Sequence, residues 1–189
     1  VMPQTIIVLD FGAQYPQVIA RRLRDANGDA KVLPYNTPIS VIRKLNPIGI
    51  VLSGGPASVL AKGAPKPKPA IFSLDIPILG ICYGLQLLCK EFGGKIEQSS
   101  SREYGHSLIN HKNKSLLFKG VKKTSQVWMS HGDHIEKEPK DFTITSLSNK
   151  RIISSIEELF MLPTLSSPSW SKQHSVTSPF HRTPTSLNG

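Results

Sequence analysis

Cys82 lies between two glycines in the motif GICYG at residues 80–84, and its surroundings favour a reactive thiol. The motif follows the apolar run at 76–79 and precedes a helix-like stretch at 85–92. Small residues on both sides of a nucleophile allow a sharp turn from strand to helix, which lifts the side chain out of the sheet. Because unpaired N–H groups at the start of a helix favour a thiolate, Cys82 is predicted to be a nucleophile with a lowered pKa.

A glycine-rich loop supplies hydrogen-bond donors of the kind that such a nucleophile needs. The sequence SGGP at residues 53–56 follows directly on the apolar run at 48–52. Glycine N–H groups approach a reacting carbonyl closely, and with the N–H of Tyr83 they are expected to stabilise the oxyanion of a tetrahedral intermediate. A thiol beside such donors predicts acyl transfer as the reaction class.

The second cysteine, Cys89, lies within an apolar helical stretch and is predicted to pack in the core. The spacing of the His and Cys residues predicts no metal site.

With two cysteines, no secretory signal and no apolar run of about 18 residues, the chain is expected to be cytoplasmic and to have no membrane partner.

The reactive residues need a sheet to hold them, and the apolar pattern predicts one. Short β-like runs alternate with helix-like stretches, which is typical of one α/β domain with an open, mostly parallel sheet and helices on both faces. Ligands bind outside the carboxyl ends of parallel strands. The loops at 10–14 and 53–56 and the Cys82 turn are therefore expected to meet.

The individual elements follow from the same pattern. In the first part of the chain we predict strands at 5–9, 31–33 and 48–52 and helices at 15–26 and 38–45. Beyond the Cys82 helix, shorter strands are predicted at 95–97, 106–110, 126–129, 142–147 and 152–156.

The formal net charge of +10 is compatible with nucleic-acid binding, but its distribution is not. The basic residues are scattered through turns such as 62–68, 112–114 and 119–123, and no aromatic residues interleave them as a base-stacking surface requires. A solvated basic face is favoured, and no nucleic-acid partner is expected.

Five motifs follow one another along the chain: LDFGAQY at 9–15, SGGPASV at 53–59, GICYGLQ at 80–86, SREYG at 101–105 and SHGD at 130–133. In this order and at similar spacing they resemble the class I glutamine amidotransferase domain of the GMP synthetases. The resemblance extends from about residue 5 to about residue 158 and implies a flavodoxin-like core.

The resemblance implies hydrolysis of glutamine. Cys82 would attack the side-chain amide, ammonia would leave, and water would release glutamate from a thioester. By the same resemblance, backbone groups of Gly55 and Tyr83 form the oxyanion hole, and a turn at 130–133 takes part in substrate binding rather than in base catalysis. The residues assigned to glutamine binding are Gln86, Ser130, His131, Gly132 and Asp133.

The resemblance also implies a partner. The ammonia would pass to a synthetase domain that adenylates XMP with ATP, so ATP and magnesium belong to that domain and no cofactor is expected in this one. The chain has no SGGVDS loop for ATP pyrophosphate. We therefore expect the synthetase domain on another chain, or lost by truncation.

The chain departs from the family pattern after the SSIE segment at 154–157. There the family carries a His-Pro-Glu segment, whose histidine takes the thiol proton and whose glutamate orients the ring. No His-Pro-Glu occurs in this chain, so the general-base His and Glu are not found, and His174 and His181 are interpreted as incidental residues.

The composition changes at the same place. Half of residues 160–189 are Ser, Thr or Pro, and none is acidic, which predicts disorder. We therefore predict an amidotransferase domain at 1–159, without the final strand and helix of the family, and a divergent tail at 160–189. A shifted reading frame or a misjoined gene model would explain the change.

Two hypotheses about function remain open from the sequence. One is a glutamine-hydrolysing enzyme domain. The other is a catalytically incomplete relative that binds glutamine or docks on a partner, because the segment that carries the general base is absent.

Overall fold

The computed structural model describes residues 4–112, 115, 117–158 and 174–177. The first part of the chain alternates strands with helices, as predicted. Its elements are β1 (Thr5–Asp10), α1 (Pro16–Asp25), β2 (Asp29–Pro34), α2 (Ile39–Lys44), β3 (Gly49–Leu52), a 3-10 helix (Pro69–Ser73), β4 (Ile78–Ile81) and α3 (Tyr83–Glu91).

The second part consists of strands. They are β5 (Lys95–His111), β6 (Thr124–Lys137), β7 (Phe142–Ser148), β8 (Ile153–Glu158) and β9 (His174–Thr177). In the described residues, all of the strands join one sheet in the order β2-β1-β3-β4-β9-β8-β6-β5-β7. The first five strands in that order are parallel, and the other four pair antiparallel.

The parallel strands are buried on both faces, which is why they read as continuous apolar runs in the sequence. Along β1, Ile7 belongs to one core cluster and Val8 to the other. Helix α1 covers the Val8 face through Ala20, whereas α2 and α3 cover the Ile7 face through Ile42 and Leu88. The predicted α/β fold with helices on both faces is confirmed.

The antiparallel strands are longer than the sequence predicted. The runs at 95–97 and 106–110 are the two ends of one strand, β5, and the run at 126–129 lies in the middle of β6. The register of β5 against β6 shifts between Gln98 and Glu103, so the polar residues there continue the ladder through an irregularity. Such a segment carries no alternating apolar pattern, and sequence reasoning therefore misses it.

The structure differs from the expected tail at residues 174–177, which form β9. This strand lies between β4 and β8, pairing parallel with the first and antiparallel with the second. Two neighbouring edges offer backbone hydrogen bonds on both sides, which favours a strand even in a Ser- and Thr-rich segment. Residues 159–173 and 178–189 lie outside the described part of the chain, and the prediction of disorder there stays a prediction.

None of the described helices is both long and apolar enough to cross a bilayer.

Candidate functional site

Cys82 lies at the turn between β4 and α3, where the chain reverses its direction sharply. It is the N-cap residue of α3, with φ +55° and ψ −109°, in a region that residues with a side chain rarely adopt. A Cβ on Gly80 would lie 2.5 Å from the carbonyl oxygen of Gly84, and a Cβ on Gly84 would overlap Leu52. Both glycines are therefore required for the turn, and the predicted elbow at Cys82 is confirmed.

The loops at the carboxyl ends of β1, β3 and β4 meet at this elbow. Gly84 donates its N–H to the carbonyl oxygen of Ser53 (3.2 Å), and Phe11 donates its N–H to Ser53 Oγ (3.1 Å). A Cβ on Gly54 would be in van der Waals contact with the Cβ of Cys82, at 3.4 Å. The glycine-rich loop thus lies against the predicted nucleophile, as the parallel topology requires.

Tyr83 offers only its backbone to the site. Its side chain is buried, its hydroxyl donates to the carbonyl oxygen of Pro65 (2.6 Å), and its ring packs on Phe11 with centroids 5.3 Å apart. Burial raises the pKa of the Tyr83 phenol to about 12, so it stays neutral. Its N–H lies within hydrogen-bond reach of the Cys82 sulfur. The predicted roles of Gly55 and Tyr83 as oxyanion donors agree with this placement and stay predictions.

The expected lowering of the Cys82 pKa is wrong. Burial raises the pKa of the thiol, and the negative charge of Asp133 raises it further, while the hydrogen bond from the Tyr83 N–H opposes both. The N-terminus of α3 therefore acts in the predicted direction but is outweighed by desolvation. Burial and the charge of Asp133 thus both favour the neutral thiol over the thiolate.

Asp133 joins three motifs that are far apart in the sequence. Its carboxylate Oδ2 accepts a hydrogen bond from Ser58 Oγ (2.6 Å), and its backbone carbonyl accepts one from Gln86 Nε2 (2.8 Å). Both Asp133 and Gln86 are buried, at 5% and 7% exposure. The structure thus brings two predicted glutamine-binding residues together, and the charge of Asp133 reaches Cys82.

The SHGD motif does not form the turn that was expected. Ser130, His131, Gly132 and Asp133 all lie within β6, where Ser130 pairs with Tyr104 and Asp133 with Gln98. The physical reason is the irregularity in β5. The residues between Gln98 and Glu103 bulge out opposite Gly132, so that β6 continues as a strand through the motif. The roles of these four residues in binding stay predictions.

Ser58 is a site residue that sequence reasoning missed. It belongs to the SGGPASV motif but is 75 residues away from its partner Asp133. No spacing rule relates a loop after β3 to a position inside β6. The motif itself was the only available signal.

Cys89, by contrast, is fully buried in α3, as predicted. Its Sγ donates to the carbonyl oxygen of Lys137 (3.6 Å), and burial raises its pKa to about 12. Within the described ranges, no three His, Cys, Asp or Glu side chains are grouped so that they could hold a metal ion.

The sequence model of the family Glutamine amidotransferase class-I matches residues 7–163. The chain belongs to this family. It is 47% identical over 156 residues to the GMP synthase [glutamine-hydrolyzing] of Carboxydothermus hydrogenoformans, covering 82% of this chain and 31% of that protein. It is 52% identical over 152 residues to that of Borrelia garinii subsp. bavariensis, covering 80% and 29%. The chain therefore spans about 30% of the length of these curated relatives, and the resemblance stated from the motifs is confirmed.

Solved structures support the same amidotransferase fold. A protein from Thermoplasma acidophilum that is described as one component of a GMP synthase superposes with a TM-score of 0.73 at 24% identity, covering 94% of this chain and 83% of that one. A glutamine amidotransferase from Thermotoga maritima gives a TM-score of 0.66 at 18% identity, covering 96% and 76%. At these identities the likeness shows the fold alone.

That the general-base His and Glu are absent stays a prediction. His174 is the first residue of β9 and pairs with Ile78, whereas Ile81, directly before Cys82, pairs with Thr177. His174 therefore lies three residues before Thr177 along β9, so its backbone is roughly 10 Å from the position that is level with Ile81. His181 lies outside the described residues. None of the described charges that act on the Cys82 pKa belongs to a histidine.

Proposed function

We propose that this chain is the glutamine-hydrolysing part of a GMP synthase-type enzyme and supplies ammonia for the conversion of XMP to GMP. The observation that carries the proposal is the strained elbow at Cys82, against which a glycine loop lies and which the charge of the buried carboxylate of Asp133 reaches. Relatives at 47% to 52% identity are named glutamine-hydrolysing GMP synthases.

The chemistry follows from the geometry of the elbow. The Cys82 thiolate attacks the carbonyl carbon of the glutamine side-chain amide and forms a tetrahedral intermediate. The N–H groups of Gly55 and Tyr83 stabilise the negative charge on its oxygen. The proton lost by the Cys82 thiol reaches the amide nitrogen through solvent, the C–N bond breaks, and ammonia leaves. Water then hydrolyses the thioester, which releases glutamate and returns a proton to the Cys82 sulfur.

Substrate binding uses the residues around Asp133. The α-ammonium of glutamine pairs with the carboxylate of Asp133, which is buried and, among the described residues, is hydrogen-bonded through Oδ2 to Ser58. Gln86, Ser130, His131 and Gly132 complete the binding surface for the other end of the amino acid. The charged end of the substrate is thus fixed while its amide faces Cys82, and this orientation provides much of the rate.

The partner that uses the ammonia is proposed from the relatives, which are about three times as long as this chain. The remaining part of such a protein would adenylate XMP, and ATP and magnesium would bind there. A reducing compartment, the cytoplasm, is proposed because the reaction needs Cys82 as a free thiol, as it is here.

The experiment that tests the proposal measures ammonia and glutamate released from L-glutamine by the 189-residue chain. Cys82→Ala is expected to abolish release, because no other described thiol lies at the elbow. Cys89→Ala is the matched control, since it removes the buried thiol of the same helix and leaves the elbow intact.

Turnover that survives Cys82→Ala would overturn the proposal. Glutamine binding without turnover in the unmodified chain would instead support the catalytically incomplete relative. The comparisons do not favour that alternative, because the compared curated relatives are named glutamine-hydrolysing.

A further inference from the structure

We propose that Ser58 is a positioning residue, which holds the carboxylate of Asp133 in the orientation that receives the α-ammonium of glutamine. The inference rests on the proposed function and adds a residue from the loop after β3 to the recognition of the amino-acid end of the substrate. Its basis is the contact between Ser58 Oγ and Asp133 Oδ2, at 2.6 Å.

The direction of this hydrogen bond is fixed by a second one. Ser58 Oγ accepts the backbone N–H of Leu60 (3.1 Å), so its own proton is free to be donated. A hydroxyl has one proton to donate, and an ionised carboxylate only accepts. Ser58 therefore donates to Asp133, and this charge-assisted bond is of the stronger kind.

Asp133 is held at its other end as well. Its backbone carbonyl accepts the Gln86 side chain at 2.8 Å, which fixes the main chain of β6 against α3. With the main chain fixed by Gln86 and Oδ2 by Ser58, the carboxylate cannot rotate freely. Among the described residues, Ser58 is the one hydrogen-bond partner of this carboxylate, so Oδ1 is left for a ligand.

The orientation matters because Asp133 also acts on Cys82. Of the described charged side chains, Asp133 is the one whose charge opposes ionisation of the Cys82 thiol; the Tyr83 N–H favours it. An ammonium placed on Asp133 cancels that negative charge. Binding of the correct substrate therefore promotes the thiolate that attacks it, whereas a ligand without the amine does not have this effect.

A purely structural role for Ser58 makes a different prediction. If the hydroxyl only stabilised the loop, its loss would weaken all ligands of the site alike. If it positions Asp133, its loss weakens only ligands that carry the α-ammonium. The ligand pair that separates the two roles is L-glutamine and glutaramate, which keeps the carboxylate and the amide but lacks the amine.

The experiment is calorimetric titration of both ligands into the 189-residue chain carrying Cys82→Ala, so that no turnover occurs. Ser58→Ala is expected to weaken L-glutamine by about tenfold or more, as loss of a hydrogen bond to a charged group does, and to leave glutaramate unchanged. Ser58→Thr keeps the hydroxyl and is expected to restore glutamine binding. Ser107→Ala is the matched control, because it removes a hydroxyl that bonds Asn149 away from the site.

A double-mutant cycle with Asp133→Asn gives a second measurement. If Ser58 acts through Asp133, Ser58→Ala adds no further loss of glutamine affinity once the carboxylate has been removed. Should Ser58→Ala fail to fold, Ser58→Cys keeps the side-chain shape with a weaker donor and is expected to give a smaller loss of the same selectivity.

Three results would overturn the inference: equal weakening of both ligands, unchanged glutamine affinity in Ser58→Ala, or fully additive effects in the cycle. These outcomes leave the proposed function intact. A parent protein that binds no L-glutamine would instead overturn the proposed function and the role of Ser58 with it.

Discussion

The backbone carbonyl of Phe11 occupies the space into which a side chain at Gly55 would project. A Cβ on Gly55 would lie 2.6 Å from the Phe11 oxygen, closer than real Cβ contacts occur. The end of β1 thus fixes the position of the glycine loop, and the loop in turn lies against Cys82. A change at Gly55 must move either the loop or the end of β1.

Gly55→Ala is therefore expected to lower kcat for glutamine hydrolysis. The new methyl group displaces the loop and with it the proposed oxyanion donor, for which a loss of about 10²- to 10³-fold is typical. Steady-state ammonia release measures the effect. Gly49→Ala is the control, because its Cβ would meet Pro77 at an ordinary 3.6 Å. Equal activity of the two variants would contradict the role of the loop.

Asp133→Asn is expected to lower the pKa of Cys82. The carboxylate raises that pKa through its charge, and the amide removes the charge while keeping the shape. The measurement is the rate of alkylation by iodoacetamide as a function of pH, to which Cys89 does not contribute because it is buried with a pKa of about 12. Asp25→Asn, on the surface of α1, is the control. A profile that does not move in Asp133→Asn would contradict the coupling.

His111 is expected to make the folded state less stable in acid. It is buried and packs on Phe118, its Nε2 bonds Ser125 Oγ (3.0 Å), and its Nδ1 has no partner in the described structure. Burial lowers its pKa below the ordinary 6.5. As the pH falls, the unfolded chain therefore binds this proton before the folded protein does. The free energy of unfolding is unaffected by His111 above about pH 6.5 and decreases as the pH drops below that value.

Denaturant unfolding between about pH 7 and about pH 5 tests this expectation. His111→Gln keeps an amide for Ser125 but does not titrate, and it is expected to flatten the pH dependence by up to about 1.4 kcal/mol per pH unit. His106→Gln, at an exposed position of the same strand, is expected to leave the slope unchanged. An equally steep slope in His111→Gln would assign the acid sensitivity to other groups.

Turnover of the chain is expected to be slow. Without the His-Pro-Glu segment, general-base catalysis that contributes about 10² to 10⁴ in rate is missing. His174→Ala is expected to leave the rate unchanged, because His174 lies at the end of β9 remote from the elbow. Comparison of kcat with that of a relative that carries the segment checks the first statement. A large loss of activity in His174→Ala would contradict the second.

The parallel half of the sheet was predictable because burial on both faces leaves a simple pattern. β1 and β3 were expected at 5–9 and 48–52 and are found at Thr5–Asp10 and Gly49–Leu52. The antiparallel strands have one mixed face, on which Trp128 and Leu108 are nearly half exposed. Apolar and polar residues therefore do not alternate regularly along these strands, and the sequence did not predict the full lengths of β5 and β6.

The candidate site divides in the same way into local and distant features. The elbow at Cys82 depends on neighbouring glycines and could be predicted from a few residues. The bond between Ser58 and Asp133 depends on tertiary folding, so no local pattern contains it. The direction of the Cys82 pKa was mispredicted for this reason, since burial and Asp133 both come from distant parts of the chain.

β9 has a consequence for the order of events during synthesis. The strand joins β4 to β8 at the centre of the sheet, yet it begins only at residue 174. A nascent chain must therefore wait, with one edge of β4 and one edge of β8 unpaired, until almost all of this sequence has left the ribosome. Premature termination before that point would leave two exposed edges as templates for intermolecular pairing, so such shortened chains are expected to aggregate more readily than the full sequence.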